Sequence, residues 1–353
     1  MENSIIKSTD SLKNPKVFIE THGCKLNMAD SQMLAKKFVE QGYSVVSSDD
    51  VVPNVFVLNS CTVTHVADRK ARNALRKARK KFPEALIVAA GCYVERDENS
   101  VNDLDAVDIS IGNSSKDSIV DRVNEYLKIE VSWDDQFDSF ENLDLLGRSR
   151  ASLKIQEGCN DVCAFCIVPH VRGRETAKTI HSIVREAQQY EADGVLEIVL
   201  TGTQPGAYGR DRNDETTAAR LLSSLLIETT LPRIRYSSIQ PQDITNAFIE
   251  QWQDSRLCRH FHLALQSGSD SVLQRMRRQY NSQAFLLALE RIRNEIPGAN
   301  ITTDVIVGFP GETTADFEKT VTLCKEAQFS AIHVFPYSTR PKTSAVKLPN
   351  QIA

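Results

Sequence analysis

The chain has 353 residues, of which 41% are hydrophobic and 25% are charged, a composition typical of globular proteins that excludes disordered, collagen-like and mucin-like chains. Domains usually contain ~100–200 residues, so this length predicts two. The net charge of −4 gives no argument for a nucleic-acid partner, which would need a local basic patch. No apolar run approaches the ~20 residues of a membrane span and the amino terminus lacks a signal-peptide core, so we predict a cytoplasmic protein without a membrane anchor.

Strands and helices alternate in the first third of the sequence. Amphipathic segments predict helices over 30–41 and 67–82. Short apolar segments predict strands at 17–19, 55–58, 86–89 and 109–112. Because strands that alternate with helices form parallel sheets with covered faces, we predict a small doubly wound α/β domain over 15–132.

A segment rich in Asp and Glu follows and has no hydrophobic periodicity. Its acidic residues are Asp134, Asp135, Asp138, Glu141 and Asp144. We interpret residues 133–147 as a linker; the alternative is an acidic hairpin within one domain.

The alternation resumes in a second predicted domain over 148–353. Helical segments include 180–190 and 282–295. Apolar strands are predicted at 153–155, 196–200, 234–237, 261–265, 304–307 and 331–335. Six strand–helix units are fewer than the eight that close a full barrel, so we predict an incomplete (β/α)6 barrel.

Eight cysteines in a cytosolic protein indicate metal or redox chemistry rather than disulfides. Cys159, Cys163 and Cys166 have the spacing Cys-x₃-Cys-x₂-Cys and follow a predicted strand, at the end where barrel enzymes hold their active sites. Three thiolates on one loop can hold three irons of a [4Fe–4S] cluster and leave the fourth iron open. The alternative is zinc, for which His170 would complete a set of four ligands.

Three further cysteines share a position relative to predicted strands. Cys24, Cys61 and Cys92 each lie just past the carboxyl end of a strand, and in an open α/β sheet these ends line one rim. They can therefore meet and hold a second cluster, again with one open iron; the alternative is three independent buried cysteines. Cys258 and Cys324 lack partner spacing, and we predict ordinary packing for both.

Two local features suggest ligands. The glycines of segment 200–209 permit close backbone approach to a nucleotide-like cofactor, although a plain strand-to-loop turn would look the same. Basic residues follow both cysteine sites, which predicts contact with a phosphate backbone; the alternative for the helix is a solvated face. On the helix after Cys61 they are Arg69, Lys70, Arg72, Arg76, Lys77, Arg79, Lys80 and Lys81, and after the cysteine triplet they are Arg172 and Arg174.

These motifs carry a family resemblance. The triplet that ends at Cys166, with Phe165 before the last cysteine, resembles the radical S-adenosylmethionine signature. With THGCKLN, NSCTVT and AAGCY around the other cysteines, and EIVLTG, SSIQPQDI, HLALQSGSD, TDVIVGFPGET and HVFPYS, residues 17–345 resemble the tRNA methylthiotransferases. CKLN and CTVT are more similar to the branch that acts on threonylcarbamoyladenosine than to the isopentenyladenosine branch, whose counterpart begins CQMN.

The resemblance implies a division of labour between two [4Fe–4S] clusters. Cys159, Cys163 and Cys166 would hold the cluster whose open iron chelates S-adenosylmethionine and whose electron cleaves it to a 5′-deoxyadenosyl radical. Cys24, Cys61 and Cys92 would hold an auxiliary cluster that carries the inserted sulfur, which a second S-adenosylmethionine methylates. The product is the 2-methylthio derivative of N6-threonylcarbamoyladenosine next to the tRNA anticodon, and the electron donor a protein such as flavodoxin or ferredoxin.

Further site residues follow from strand ends and from the basic segments. The expected cofactor-pocket residues are Phe165, Thr201, Gly202, Gln204, Ser238 and Gln266. The expected tRNA contacts are Lys77, Lys80, Lys81, Arg172 and Arg174.

The sequence departs from the family pattern at three places. Gln204 replaces a usual Asn, and Lys342 replaces the usual Gly of an RPGT motif. The small β-barrel RNA-binding domain with which the family continues is expected to be absent from this chain, which stops at Ala353. Three alternative functions stay open at this stage: methylthiolation of isopentenyladenosine, modification of a ribosomal-protein side chain, and non-catalytic binding of zinc and RNA.

Overall fold

A computed structural model of the chain describes residues 14–47, 51–129 and 150–352. The chain falls into two compact units, Met1–Thr62 with Val66–Arg148 and Val63–His65 with Ser149–Ala353. The linker predicted over 133–147 lies outside the described residues. Among the described residues, no helix has both the length and the apolar character needed to cross a membrane.

The first unit is built on one parallel sheet with strand order β2-β1-β3-β4-β5. The strands are β1 Lys16–Thr21, β2 Ser44–Val46, β3 Val55–Ser60, β4 Leu86–Gly91 and β5 Ile109–Ile111. All four predicted strands are present. Every residue of the two central strands, β3 and β4, is buried, as expected for a parallel sheet covered on both faces. The sequence missed β2, because this half-buried edge strand has only three residues.

Helices cover both faces of this sheet and create two separate cores. Leu34 and Phe38 of the first helix pack with one face of the sheet, and Ala71 and Leu75 of the second pack with the other. The helices are α1 Lys25–Glu40, α2 His65–Lys81, α3 Cys92–Arg96, α4 Glu98–Asn102 and α5 Ile119–Leu127. The doubly wound arrangement is confirmed, and α1 begins five positions earlier than predicted, directly after Cys24.

The second unit arranges seven of its strands, all parallel, in two sheets of order β10-β9-β6 and β11-β12-β13-β14. Its strands are β6 Ala151–Lys154, β7 Gln156–Glu157, β8 Thr176–Ala177, β9 Glu197–Thr201, β10 Arg233–Tyr236, β11 Ser238–Ile239, β12 His260–Leu263, β13 Asn300–Val307 and β14 Ala331–Pro336. Only Ser237 separates the two sheets along the chain. The α/β class with parallel sheets is confirmed, the antiparallel pair of β7 and β8 was not predicted, and closure into a partial barrel stays a prediction.

Helices between these strands bury one large apolar core. Leu200 and Leu263 of the strands pack there with Leu221 and Phe285 of the helices. Cys324 packs against this core and Cys258 is buried, as predicted for both. The helices are α6 Val168–Arg172, α7 Ile180–Ala192, α8 Ala218–Glu228, α9 Asn246–Glu250, α10 Asp270–Arg275, α11 Ser282–Glu295 and α12 Thr314–Ala327.

Lys342 preserves the backbone geometry that a glycine would provide. Its φ is +67°, in the left-handed region that costs an ordinary residue about 1–2 kcal/mol. The hydroxyl of Thr343 donates to the carbonyl oxygen of Arg340 at 2.7 Å and holds this turn. The substitution therefore keeps the turn and adds local strain.

Candidate metal centres

Sheet register brings the first cysteine triplet to one edge of the first unit. Thr21 at the end of β1 lies opposite Asn59 of β3, and Ser60 lies opposite Gly91 of β4. Cys24, Cys61 and Cys92 follow these positions within three residues, so all three leave the sheet at its carboxyl edge.

Two glycines allow the segments that carry these cysteines to touch. A Cβ atom added at Gly23 would lie 2.7 Å from the Cβ atom of Cys61. One added at Gly91, whose φ is +97°, would lie 2.6 Å from the backbone oxygen of Ser60. Because real Cβ atoms essentially never come so close, only glycine permits this approach.

Buried amides hold the triplet in place. The thiol of Cys24 donates to Asn27 Oδ1 at 3.3 Å, and Asn27 Nδ2 donates to the backbone oxygen of Ser60 at 3.1 Å. Asn59 Nδ2 returns a bond to the backbone oxygen of Asn27 at 2.8 Å. On the other side, Asn113 Nδ2 donates to Cys92 Sγ at 3.3 Å. Three sulfur donors with a hydrogen-bonded surrounding fit an iron–sulfur cluster.

The second triplet lies on one loop after β7. Gly158 has a φ of +72°, and a Cβ atom there would lie 1.9 Å from the backbone oxygen of Arg174. The backbone N–H of Cys159 donates to the backbone oxygen of Gly173 at 3.2 Å, and the backbone N–H of Cys166 donates to the backbone oxygen of Cys163 at 3.2 Å. The start of the loop is therefore packed against residues 173–174, and a local turn joins Cys163 to Cys166.

The three thiols interact with one another electrostatically. Burial raises the pKa of Cys159 and of Cys166 to about 12, and the neighbouring thiols add to the effect. Arg278 Nη1 donates to Cys163 Sγ at 3.0 Å and supplies a positive charge beside the loop. Thiols release their protons when they bind a metal, so the three sulfurs can hold a cluster as thiolates.

The loop after β9 contacts the second triplet through Gln204. The thiol of Cys159 donates to Gln204 Oε1 at 3.1 Å, and the backbone N–H of Gln204 donates to Gln156 Oε1 at 3.0 Å. A Cβ atom at Gly202 would lie 2.8 Å from the backbone oxygen of Gln156, so this glycine serves packing against β7. Gln204 Nε2 is buried and has no hydrogen-bond partner among the residues that the structure describes.

The other predicted pocket residues also lie at strand ends of the second unit. Thr201 is the buried last residue of β9, and Ser238 is the exposed first residue of β11. Gln266, with a φ of +66°, donates its backbone N–H to the oxygen of Asp304 at 2.8 Å. Phe165 is half-buried and meets Phe309 edge-to-face, with ring centroids 6.4 Å apart.

The alternative zinc site is not assembled. Tetrahedral ligand atoms around zinc lie roughly 3.3–4 Å apart. Within 14–47, 51–129 and 150–352, the only group of three or more His, Cys, Asp or Glu with ligand atoms within 4.8 Å of one another is His262, Asp304 and His333. His170 is exposed on α6, and neither it nor the three cysteines form such a group. The cysteines of a [4Fe–4S] cluster bind different irons and need not lie this close together.

The predicted tRNA contacts separate into exposed and buried residues. Lys77, Lys80, Lys81 and Arg174 are exposed. The structure contradicts the predicted tRNA contact of Arg172. Its side chain is only 3% exposed and pairs with Glu157 at 2.5 Å, so it is not available to a phosphate.

Two side-chain groups were missed by sequence reasoning. Arg278 Nη2 donates to Gln240 Oε1 at 2.8 Å, which extends the support of the second triplet. His262 and His333 flank Asp304, with His262 Nε2 at 3.1 Å and His333 Nδ1 at 3.2 Å from its carboxylate oxygens. Burial acts to raise the pKa of Asp304, but the hydrogen bonds from both histidines outweigh it and lower the pKa. The motifs HLALQSGSD, TDVIVGFPGET and HVFPYS contain these three residues and were the available signal.

Family models match both units. Residues 153–324 match the radical SAM superfamily, and residues 16–112 match the uncharacterized protein family UPF0004. Each match spans the cysteine triplet of its unit.

Among relatives, the chain is similar to "Threonylcarbamoyladenosine tRNA methylthiotransferase MtaB" of Bacillus subtilis (strain 168), with 38% identity over 95% of this chain and 76% of the relative. It is 36% identical to "tRNA-2-methylthio-N(6)-dimethylallyladenosine synthase" of Saccharopolyspora erythraea, over 95% of this chain and 70% of the relative. Among solved structures, the radical S-adenosylmethionine methyltransferase TsrM from Kitasatospora setae has a TM-score of 0.62 at 12% identity and covers 91% of this chain and 73% of that chain. This last likeness concerns the fold alone.

Proposed function

The chain belongs to the tRNA methylthiotransferase family of radical S-adenosylmethionine enzymes, and we propose that it converts N6-threonylcarbamoyladenosine in tRNA to its 2-methylthio derivative. The observation that carries the proposal is the presence of two separate cysteine triplets, one at the carboxyl ends of the parallel strands β1, β3 and β4 and one on the loop after β7. The modified base follows from the CKLN and CTVT motifs and from the relative at 38% identity.

Each triplet would hold one [4Fe–4S] cluster. Cys159, Cys163 and Cys166 would bind the first in the second unit. Cys24, Cys61 and Cys92 would bind the second in the first unit. When bound, the clusters supply one-electron reduction of S-adenosylmethionine and the sulfur for insertion.

The protein groups around the second triplet have two tasks. Arg278 places a cation against Cys163, and this offsets the negative charge of bound thiolate. The side chain of Gln204 lies against Cys159, and its buried Nε2 has no hydrogen-bond partner among the described residues. We infer that this amide donates to an oxygen of S-adenosylmethionine, because an unpaired buried donor is costly unless a ligand satisfies it.

We further propose the partners. A tRNA substrate implies a cytoplasmic location, and the exposed residues Lys77, Lys81 and Arg174 are the candidates for phosphate contacts. The electron would come from a small redox protein such as flavodoxin or ferredoxin.

Nucleoside mass spectrometry of tRNA from a strain that lacks the gene tests the proposal. We expect the 2-methylthio derivative of N6-threonylcarbamoyladenosine to disappear and the unmodified base to accumulate. The gene restores the derivative, and the gene with Cys92→Ala does not. Loss of methylthio-dimethylallyladenosine instead would assign the chain to the other branch, and an unchanged nucleoside profile would contradict a tRNA substrate.

A further inference from the structure

A cleft of about 730 Å³ lies in the first unit between strand β1 and helix α2. Phe18, Glu20 and His22 line one wall. Phe18 and Glu20 share a face of β1 because side chains alternate along a strand, and His22 follows the end of this strand. Lys70, Lys77 and Lys81 line the other wall. The volume lies within the ~300–1,000 Å³ range of ligand pockets.

The floor of the cleft is aromatic. The rings of Phe18 and Phe56 stack with centroids 5.8 Å apart and planes inclined by 27°. Phe56 and Phe82 are buried in the core below, whereas Phe18 is half-buried at the cleft surface. An aromatic face at the floor of a cleft is suited to stack a planar ring.

The cleft extends to the end of the edge strand β2. Strand β2 ends at Val46, and Ser47, which follows it, lines the cleft together with Phe18 and Glu20 of the neighbouring strand β1.

The lysines form a stripe on one side of α2. Lys70, Lys77 and Lys81 recur at intervals of seven and four, which places them on one face of a helix. Arg69, Arg76 and Lys80 have the same spacing one position earlier and therefore lie about 100° around the helix. All six side chains are exposed, but only the first three line the cleft. Lys80, an expected tRNA contact, thus belongs to the other stripe.

We propose that this cleft binds one nucleotide of the tRNA substrate, with the base stacked on Phe18 and the flanking phosphates on Lys70, Lys77 and Lys81. The inference rests on the proposed function and adds a specific contact site to it. Glu20, which pairs with His22 at 2.6 Å, is the acidic group in the lining and accepts a hydrogen bond from an amino group of the base. Cations on one wall and a carboxylate on the other match the phosphate and base of one nucleotide.

Two triple variants of the reconstituted full chain form the test. Lys70→Ala with Lys77→Ala and Lys81→Ala removes the cleft stripe, and Arg69→Ala with Arg76→Ala and Lys80→Ala removes an equal charge outside it. The measurement is tRNA binding by fluorescence anisotropy over a salt series. Each lost phosphate contact reduces the log–log salt slope by about 0.7–0.9, so we expect the cleft triple to reduce it by about 2 and the other triple to leave it nearly unchanged. Equal effects of the two triples, or no effect of either, would overturn the proposal.

Phe18→Leu tests the stacking separately. Leucine keeps an apolar side chain on the core but removes the ring, and we expect tRNA binding to weaken roughly 5- to 10-fold with the salt slope unchanged. Full iron content and cleavage of S-adenosylmethionine without tRNA show that the variant is folded. Titration with AMP identifies the source of the nucleotide: AMP binding that Phe18→Leu abolishes, with tRNA affinity unchanged, would overturn a tRNA site. A failed proposed function would instead appear in the unaltered protein itself, as the absence of both tRNA binding and methylthio product.

Discussion

The two cysteine triplets of this chain are assembled in different ways. Cys159, Cys163 and Cys166 lie on one loop. Cys24, Cys61 and Cys92 follow three strand ends and reach one edge of the sheet only because the register of β1, β3 and β4 aligns them. The first set is therefore encoded by local spacing, and the second by the topology of a sheet.

The groups around the two triplets also differ in charge. Around the loop triplet, burial raises the pKa of two thiols and Arg278 supplies a charge. Around the sheet triplet, neutral amides of Asn27 and Asn113 contact the sulfurs. A positively charged neighbour makes a cluster easier to reduce, so we propose that the loop triplet takes up the electron.

The largest expected effect separates the two by removing a ligand. Cys163→Ala should lower iron from about eight to about four per reconstituted chain, because one [4Fe–4S] cluster is lost. Reductive cleavage of S-adenosylmethionine should fall to background. Iron analysis and quantification of 5′-deoxyadenosine measure both. Cleavage at the level of the unaltered protein would refute the assignment of the loop triplet.

The next effect removes a cluster without touching a ligand. Gly158→Ala places a Cβ atom 1.9 Å from the backbone oxygen of Arg174, whereas Gly173→Ala, at the same φ of +72°, meets nothing within 4 Å. We expect the first variant to lose about four irons and the second to keep all of them. Gly173→Ala should cost about 1–3 kcal/mol of stability, because the backbone of Gly173, with φ +72° and ψ −163°, is one that other residues rarely adopt.

Gly91→Ala and Gly42→Ala make the same comparison for the sheet triplet. The Cβ atom at Gly91 would lie 2.6 Å from the oxygen of Ser60, and that at Gly42 would meet nothing within 4 Å. Iron content again measures the outcome. Equal iron in both members of either pair would show that close backbone approach does not position the cysteines.

A smaller effect concerns Arg278. Arg278→Gln removes the charge that contacts Cys163 Sγ at 3.0 Å. If that charge-assisted bond contributes about 1 kcal/mol to the reduced form, the potential of the loop cluster should fall by roughly 40–60 mV. Redox titration followed by electron paramagnetic resonance measures it. Arg277→Gln, at an exposed neighbour, is the control, and equal shifts in both variants would refute a contact effect.

The smallest effect is a pH dependence near the loop triplet. Burial raises the pKa of Glu175 to about 7, and Asn160 donates to its carboxylate at 3.2 Å. Because burial disfavours the charged carboxylate, its contribution to folding stability is fully present below the unfolded-state pKa near 4.5. This contribution is lost as the pH rises through the folded-state pKa of about 7. Glu175→Gln should therefore stabilise the protein at pH 8 by roughly 1–3 kcal/mol, and by about 1 kcal/mol less at pH 6. Denaturant midpoints of the anaerobic holoenzyme at the two pH values check this, and a pH-independent gain would contradict it.

The sequence predicted the features that depend on local pattern. Alternating apolar segments identified both α/β units, and strand-end positions brought Cys24, Cys61 and Cys92 to one edge. Features that depend on distant partners were missed. Arg278 and Cys163 are 115 positions apart in the chain, and the pairing that buries Arg172 against Glu157 arises from the hairpin of β7 and β8. Short-range basic spacing likewise could not reveal which face of α2 borders the cleft.

The most direct test of the division between the two triplets is Cys24→Ala. The variant should keep about four irons per chain and cleave S-adenosylmethionine at a rate near that of the unaltered protein, yet form no methylthio product on tRNA. Parallel quantification of 5′-deoxyadenosine and of 2-methylthio nucleoside decides the outcome. Loss of cleavage as complete as in Cys163→Ala would contradict the account.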